Sequence, residues 1–278
     1  MTLFLVKRLT PTLSWVIDYA LISSMTKIVA IIQSRQGSSR LPGKALKPLF
    51  NGKGALELML QRVAPSKKVH QFIVATTRSE SDNAIESLCK QLEVACFRGS
   101  EEDVLDRYFE AAKLVKATHI VRLTGDCPIQ DYEVIDRLVS SFFEDDLDYA
   151  ANAITPTYPD GFDAEIFTME TLKLLKEKAT KPSEKEHVTP YIHSHPELFK
   201  IKNVSFNRDV SHLRLTLDTI EDFDVLQKLA PLVFGGTEYC HINSILDYLD
   251  SHPSLLEINK KYERNEGYKK SLEKDLNN

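Results

Sequence analysis

Between residues 33 and 53 the chain carries five basic side chains, Arg35, Arg40, Lys44, Lys47 and Lys53, and no acidic one. The densest part, "QSRQGSSRLPGK" (33–44), opens on Gln33 and Ser34 and mixes its cations with Gly37, Ser38, Ser39 and Gly43. That mixture suits an oxyanion. Small residues let backbone N–H groups approach closely, guanidinium forks match phosphate geometry, and a lysine adds a point charge. It is not a Walker A loop, because five residues rather than four separate Gly37 from Gly43, and Ala45 follows Lys44 where a metal-binding hydroxyl belongs. A metal held against bound phosphates must therefore take its ligands from elsewhere. The same residues also describe a basic loop facing water, and composition alone leaves both readings open.

Two carboxylates are placed to be those ligands. Asp126 closes "VRLTGD" behind Thr124 and Gly125, and Asp218 closes "LRLTLD"; each ends an apolar, strand-like run. Mg²⁺ takes one or two protein carboxylates and keeps several waters. Each aspartate also has a plain structural role open to it, Asp126 in a Gly/Pro turn and Asp218, or its neighbour Thr219, as a helix N-cap. Two such carboxylates at two strand ends, facing a basic loop, describe a metal-assisted phosphoryl or nucleotidyl site. His187, His193 and His195 fit no metal-ligand spacing. His187 is a candidate contact for an anionic acceptor, with a structural or surface role as the alternative. Cys127, beside Asp126, reads as structural, since this chemistry needs no covalent nucleophile.

The elements that must position these groups alternate. "KIVAII" (27–32), "QFIVATT" (71–77) and "THIVRLTGD" (118–126) read as buried parallel strands. Helices are expected over 54–64, over 81–92 with Ser81 as cap, over "EDVLDRYFEAAKLV" (102–115) and over 169–179. After residue 147 the rhythm loosens: "LDYAANA", the end of "YPDGFDAEIF", residues 198–205 and "LRLTLD" are expected as strands, and 181–196 as a helix with loops. This is an α/β chain with one open, mostly parallel sheet flanked by helices and an acceptor-side insertion. In such sheets ligands sit beyond the carboxyl ends of the strands, where loops 33–44, 76–82 and 124–127 converge.

The 278 residues are 42% hydrophobic and 27% charged with net charge −5, an ordinary soluble composition without the basic stripe of a nucleic-acid binder. Four cysteines without CxxC pairing point to reduced thiols and a cytoplasmic protein. Residues 1–24 are apolar but broken by Lys7, Arg8, Pro11 and Asp18, and Met25 stands just before the first strand. They read as an extension or an upstream start rather than a membrane anchor. Residues 25–240 form the main domain, and 241–278 two helices with a frayed charged end over 262–278.

Seven segments in order, "IIQSRQGSSRLPGK", "VATTRSESDN", "FRGSEEDVLDRYFEAA", "VRLTGDCP", "YPDGFDAEIF", "PSEKEHVTPYI" and "SHLRLTLDTIEDFD", give the chain its resemblance to the cytidylyltransferase family. Within that family it resembles most the spore-coat polysaccharide branch, related to the enzymes that make CMP-activated Kdo and sialic acids. The likeness spans about residues 26–230. It implies a nucleotide-diphospho-sugar transferase fold, transfer of CMP from CTP to a sugar acid or sugar phosphate with pyrophosphate release, Mg²⁺ as cofactor, and a homodimer. It implies that the nucleotide is bound by Gln33, Ser34, Arg35, Gly37, Ser38, Arg40, Lys44, Thr76, Thr77, Arg78, Thr124 and Gly125, with Arg35, Ser38, Arg40 and Lys44 at the triphosphate and Thr76, Thr77 and Arg78 near base and ribose. Asp126 and Asp218 match the metal-binding pair, and Arg98, Gly99, Ser100, Asp163, Glu165 and His187 fall on the acceptor side. A metal-dependent glycosyltransferase and a non-catalytic subunit of a polysaccharide pathway are the alternatives.

Overall fold

The computed structural model describes residues 26–276, so the expected extension over 1–24 lies outside the described residues. The run IVAIIQ forms β1 (Ile28–Gln33), buried on both faces, which is why it reads as continuously apolar rather than alternating. A short antiparallel ribbon, β2 (Pro48–Phe50) with β3 (Lys53–Gly54), closes the basic loop and leads into α1 (Ala55–Val63). Strand and helix then alternate through β4 (Gln71–Thr77), α2 (Asn83–Gln91), β5 (Ala95–Gly99), α3 (Val104–Leu114), β6 (His119–Thr124) and α4 (Tyr132–Glu144). The second half adds β7 (Tyr149–Ala151), β8 (Glu165–Thr168), α5 (Met169–Lys178), α6 (Pro182–His187), α7 (Pro190–Ser194) and β9 (Ile201–Asn203). Three helices follow, α8 (Ile220–Phe234), α9 (Ile242–Ser251) and α10 (Glu266–Leu276).

Seven strands make one open sheet in the order β5-β4-β1-β6-β8-β7-β9. The first four are parallel, while β8 runs antiparallel to both β6 and β7. Helices α1, α2 and α4 bury one face through Leu56, Met59, Ile85, Cys89, Ile135 and Leu138; α3, α5 and α7 bury the other through Leu105, Tyr108, Leu172 and Ile192. Each such side chain removed from water contributes about 1.5–3 kcal/mol. The register sets Gln33 against Ala75 on one side and Thr124 on the other, so the loops after β1, β4 and β6 leave the sheet at one edge.

Three local expectations change. Ser81 does not cap α2; Asp82 stands at that N-cap, and its carboxylate turns instead to the backbone N–H of Gln36 (2.8 Å) and to Thr77. "LRLTLD" does not add a strand to the sheet. Its leucines Leu213, Leu215 and Leu217 pack into a separate core with α8 and α9, and its backbone makes a single bridge, Asp160 to Arg214. The end is not frayed through residue 276, because α10 docks on α6: Asp275 accepts from Ser183, and Ser271 Oγ lies 3.0 Å from His187 and 2.8 Å from Glu186. The cap proposed for α8 is present. Thr219 Oγ1 accepts from Asp222 N at 3.2 Å, and the Asp222 carboxylate bonds back to Thr219 N at 3.0 Å.

Candidate active site

Lys44 stands at the centre of the site. Its ammonium lies 2.8 Å from Asp126 Oδ2 and 2.7 Å from Asp218 Oδ1, so two carboxylates 92 residues apart converge on one cationic point. Burial alone would push the Asp126 carboxyl up, but the Lys44 ammonium holds it at about 2. Burial would likewise strip a proton from Lys44, and the two aspartates outweigh it and keep its pKa above the ordinary lysine value. The Asp126 carboxylate is therefore ionised at neutral pH, and it shares its cation with Asp218.

The backbone fixes their separation. Leu217 N and Thr216 Oγ1 donate to the Asp126 carbonyl at 2.8 and 3.2 Å, which ties the two aspartate-bearing segments together directly. Behind them Arg214 sits almost wholly buried, bonded to Asp222 (2.9 Å), Asp160 (2.9 Å) and Asp218 (3.3 Å). Gly125 must be a glycine, because a Cβ there would come within 2.8 Å of the Ser34 side chain.

The other loop cations divide. Arg40 joins the cluster, with Nη2 2.8 Å from Asp218 and Nη1 3.2 Å from Glu266 at the start of α10. Arg35 reaches out of the loop to Glu101 at 3.0 Å. Lys47 lies over the Phe223 ring and Lys53 pairs with Glu57, so neither faces the carboxylates. Ser38 Oγ accepts from Leu41 N and shapes the loop, Ser34 N donates to Ala75 O, and Gly37 abuts Glu101.

Next to β1, Thr76 is fully buried with no partner for Oγ1 among the described residues, while Thr77 is engaged by Asp82 and Arg78 is exposed. Thr124 Oγ1 lies 3.3 Å from Cys127 Sγ, and Gly125 N donates to Gln33 O at 2.8 Å. Burial pushes the Cys127 thiol up, which fits a structural residue.

The six residues expected on the acceptor side do not form one pocket. Glu165 opens β8 beside β6, where it pairs with Arg122 and accepts from Tyr149 OH at 3.1 Å. Asp163 pairs with Arg264 just before α10, and Gln33 Oε1 accepts from Arg122 at 3.2 Å. Arg98, Gly99 and Ser100 end β5, four strand positions away across β4, β1 and β6, roughly 19 Å at ordinary strand spacing. There Arg98 is bonded to Thr77 O, Ser79 O, Asn83 and Glu86, bracing the loop after β4, and Ser100 accepts from Asp103 N. His187 packs between α6 and α10 on Ser271 and Tyr268, and burial pushes its pKa down to about 4.

Several residues of the site escaped the sequence reading: Arg122, Arg214, Asp160, Arg264 and Glu266. A signal for two of them was present. Arg-Leu-Thr-x-Asp occurs twice, at 122–126 and 214–218, and in both copies a basic residue interrupts an apolar run four positions before the metal-type aspartate.

The residues fit a divalent cation. Asp126 and Asp218 already bracket a positive nitrogen at hydrogen-bond distance, and two carboxylates leave the remaining positions to phosphate oxygens and water, as Mg²⁺ prefers. Among the described residues no group of three or more His, Cys, Asp or Glu gathers as an all-protein metal cage, and no helix is long and apolar enough to cross a membrane.

Comparison with known proteins bears on the same segments. A sequence profile described as cytidylyltransferase matches residues 29–261. An uncharacterized protein of Methanocaldococcus jannaschii is 40% identical over 238 residues, 84% of this chain and 94% of that one. The spore coat polysaccharide biosynthesis protein SpsF of Bacillus subtilis is 35% identical, covering 74% and 87% of the two chains. The 3-deoxy-manno-octulosonate cytidylyltransferase of Chlamydia trachomatis serovar L2 is 29% identical, covering 78% and 86%. The solved structure of a cytidylyltransferase from Leptospira borgpetersenii superposes with a TM-score of 0.80 at 35% identity, over 86% of this chain and all of that one.

Proposed function

This chain belongs to the cytidylyltransferase family, and from that premise we propose that it transfers CMP from CTP to a sugar acid or sugar phosphate, releasing pyrophosphate, in the synthesis of a surface polysaccharide or related glycan. The observation that carries the reading is the convergence of Asp126 and Asp218 on the Lys44 ammonium, with Arg40 alongside, at the edge where β1 and β6 end. The sugar-acid acceptor is favoured by the likeness to a Kdo cytidylyltransferase, and the polysaccharide context by the likeness to SpsF.

In this reading Lys44 and Arg40 turn from the aspartates to the triphosphate, and Arg35 leaves Glu101 to join them. A divalent cation, Mg²⁺ in our proposal, held by Asp126 and Asp218 supplies neutralisation of the charge that develops on the phosphates. An acceptor oxygen attacks the α-phosphorus in line; the new O–Pα bond forms as the bond from Pα to the bridging oxygen breaks, a hydroxyl acceptor gives up its proton to water, and pyrophosphate departs. Lys44, Arg40 and Arg35 stabilise charge on the transferred and leaving groups, so the protein's part is positioning and electrostatics. Asp163 and Glu165, beside Asp126 on the β8 side, accept from acceptor hydroxyls, whereas Arg98, Gly99 and Ser100 belong with the nucleoside. His187 buttresses α10 rather than touching the acceptor. The thiol chemistry and the family point to a cytoplasmic homodimer.

The test is pyrophosphate release, measured with four NTPs and Mg²⁺ against a panel of sugar acids and sugar phosphates. CTP-dependent release with one acceptor class is expected. Release of a free nucleotide from a nucleotide sugar, or inertness to every pair, overturns the proposal.

A further inference from the structure

At the far side of the site from the carboxylates lies a buried charge that the fold leaves unsatisfied. Arg107, in the first turns of α3, is only 2% exposed, yet among the described residues nothing accepts from its Nε or Nη1. Its stem lies against Gly99: a Cβ on that glycine would come within 3.1 Å of Arg107 Cγ. The charged side chains that act on it are Arg35, Asp82 and Glu101. Both carboxylates are committed elsewhere, Asp82 to Gln36 N and Thr77, Glu101 to Arg35. A buried guanidinium with two donors unpaired destabilises the protein that carries it, so its presence calls for a ligand that supplies acceptors.

The surroundings define that ligand. Gly99 ends β5 beside Thr77 at the end of β4, so the glycine under Arg107 lies two strands from the β1 end and three from the β6 end, where the proposed phosphate grip sits. The Arg35–Glu101 ion pair joins the phosphate loop to the loop between β5 and α3 above this region, with side chains 43% and 49% exposed. A pair so exposed is weak. A triphosphate that draws Arg35 to itself would free Glu101, one of the charges that act on Arg107.

We propose that Arg107 reads the nucleotide's base, donating its guanidinium fork to the O2 and N3 acceptors of cytosine. A guanidinium offers donors only. Cytosine presents two adjacent acceptors to it, whereas uracil replaces one with an N3–H donor and leaves donor facing donor. The side chain thus selects CTP over UTP, an inference that rests on the nucleotidyltransferase reading above.

Calorimetric titration of CTP and of UTP, with Mg²⁺, into the wild-type protein, Arg107→Met and Arg107→Lys tests it, with melting temperatures measured alongside. Arg107→Met keeps the stem on Gly99 and removes the orphaned charge. It is expected to melt no lower than wild type while its CTP-over-UTP preference falls by about tenfold or more, the discrimination a bidentate base contact supplies. Arg107→Lys keeps the charge without the fork and is expected to bind nucleotide with the preference similarly reduced. A folded variant of either kind that retains the wild-type preference overturns the assignment, as does a wild type that binds both nucleotides equally. A wild type that binds no nucleotide overturns the nucleotidyltransferase reading itself and the assignment with it.

Discussion

Replacing Lys44 with Met removes the one cation that, among the described residues, both Asp126 and Asp218 share. The consequence follows from the carboxyl of Asp126, which the Lys44 ammonium holds at about 2 against an ordinary value of 3.8. A depression of that size stabilises the folded state by about 2–3 kcal/mol, fully present above pH 4 and lost as pH falls through the folded value. Loss of the ammonium's own burial penalty offsets part of this, and repulsion between the two freed carboxylates adds to it, so about 2 kcal/mol is the expected net loss at pH 7. For a chain of this size that lowers Tm by about 4–8 °C. The loss should shrink below about pH 4 and close only as pH falls through about 2, where the Asp126 carboxyl protonates in wild type as well. Millimolar Mg²⁺ or Mn²⁺ should then restore about 1.4 kcal/mol to the variant at ten times its Kd, while wild type, whose ammonium already fills the point between the carboxylates, shifts far less. Scanning calorimetry with EDTA and with each metal reads all three effects. Equal melting temperatures at pH 7, or equal metal shifts in the two proteins, would refute the shared-cation account.

Asp126→Asn should lower CTP-dependent pyrophosphate release by at least about a hundredfold, a loss typical of one electrostatic partner in a phosphoryl-transfer site, with circular dichroism unchanged; near-normal turnover would remove Asp126 from the site. Arg214→Met leaves Asp160, Asp218 and the fully buried Asp222 without their common partner. It should cost about 3–5 kcal/mol, read as a lower urea midpoint, and an unchanged midpoint would contradict the buried network. The remaining prediction concerns pH. Burial, then the charge of Asp163, pushes Asp160 up to about 7; burial, opposed by Arg264 and joined by Glu165, pushes Asp163 up to about 6. Because the folded state binds these protons more tightly than the unfolded chain, stability should fall as pH rises from about 4 to 7. Asp163→Asn should flatten that fall in a Tm–pH series, and a flat wild-type profile would exclude it.

What the sequence reveals and what it hides divide along sequence distance. β1, β4 and β6 are legible because both faces are buried and each run is continuously apolar, and the basic loop because its charge pattern is local. α10 is not legible as a docked helix. What holds Glu266 is Arg40, 226 residues away, and what holds Asp275 is Ser183, 92 residues away. A charged end whose partners are that remote reads as a solvated tail. "LRLTLD" has strand composition, but its leucines serve a helical core, which period alone cannot distinguish from a sheet. The acceptor set misled for a similar reason: Arg98 and Glu165 are both charged residues in strand-end motifs, and only the strand order puts β5 and β8 on opposite sides of β1.

The direct bonds from Leu217 N and Thr216 Oγ1 to the Asp126 carbonyl have a further consequence. They make the loop after β6 and the segment before α8 a caliper whose jaws are the carboxylates and whose arms are tied together at the root. A caliper of fixed gauge sorts ions by radius. If the proposed divalent cation is held there, Mg²⁺, with metal–oxygen distances of about 2.0–2.1 Å, would need a narrower opening than Ca²⁺, at about 2.3–2.6 Å. Shortening or freeing the hinge at Thr216 would loosen the gauge and blur that sorting without touching either carboxylate.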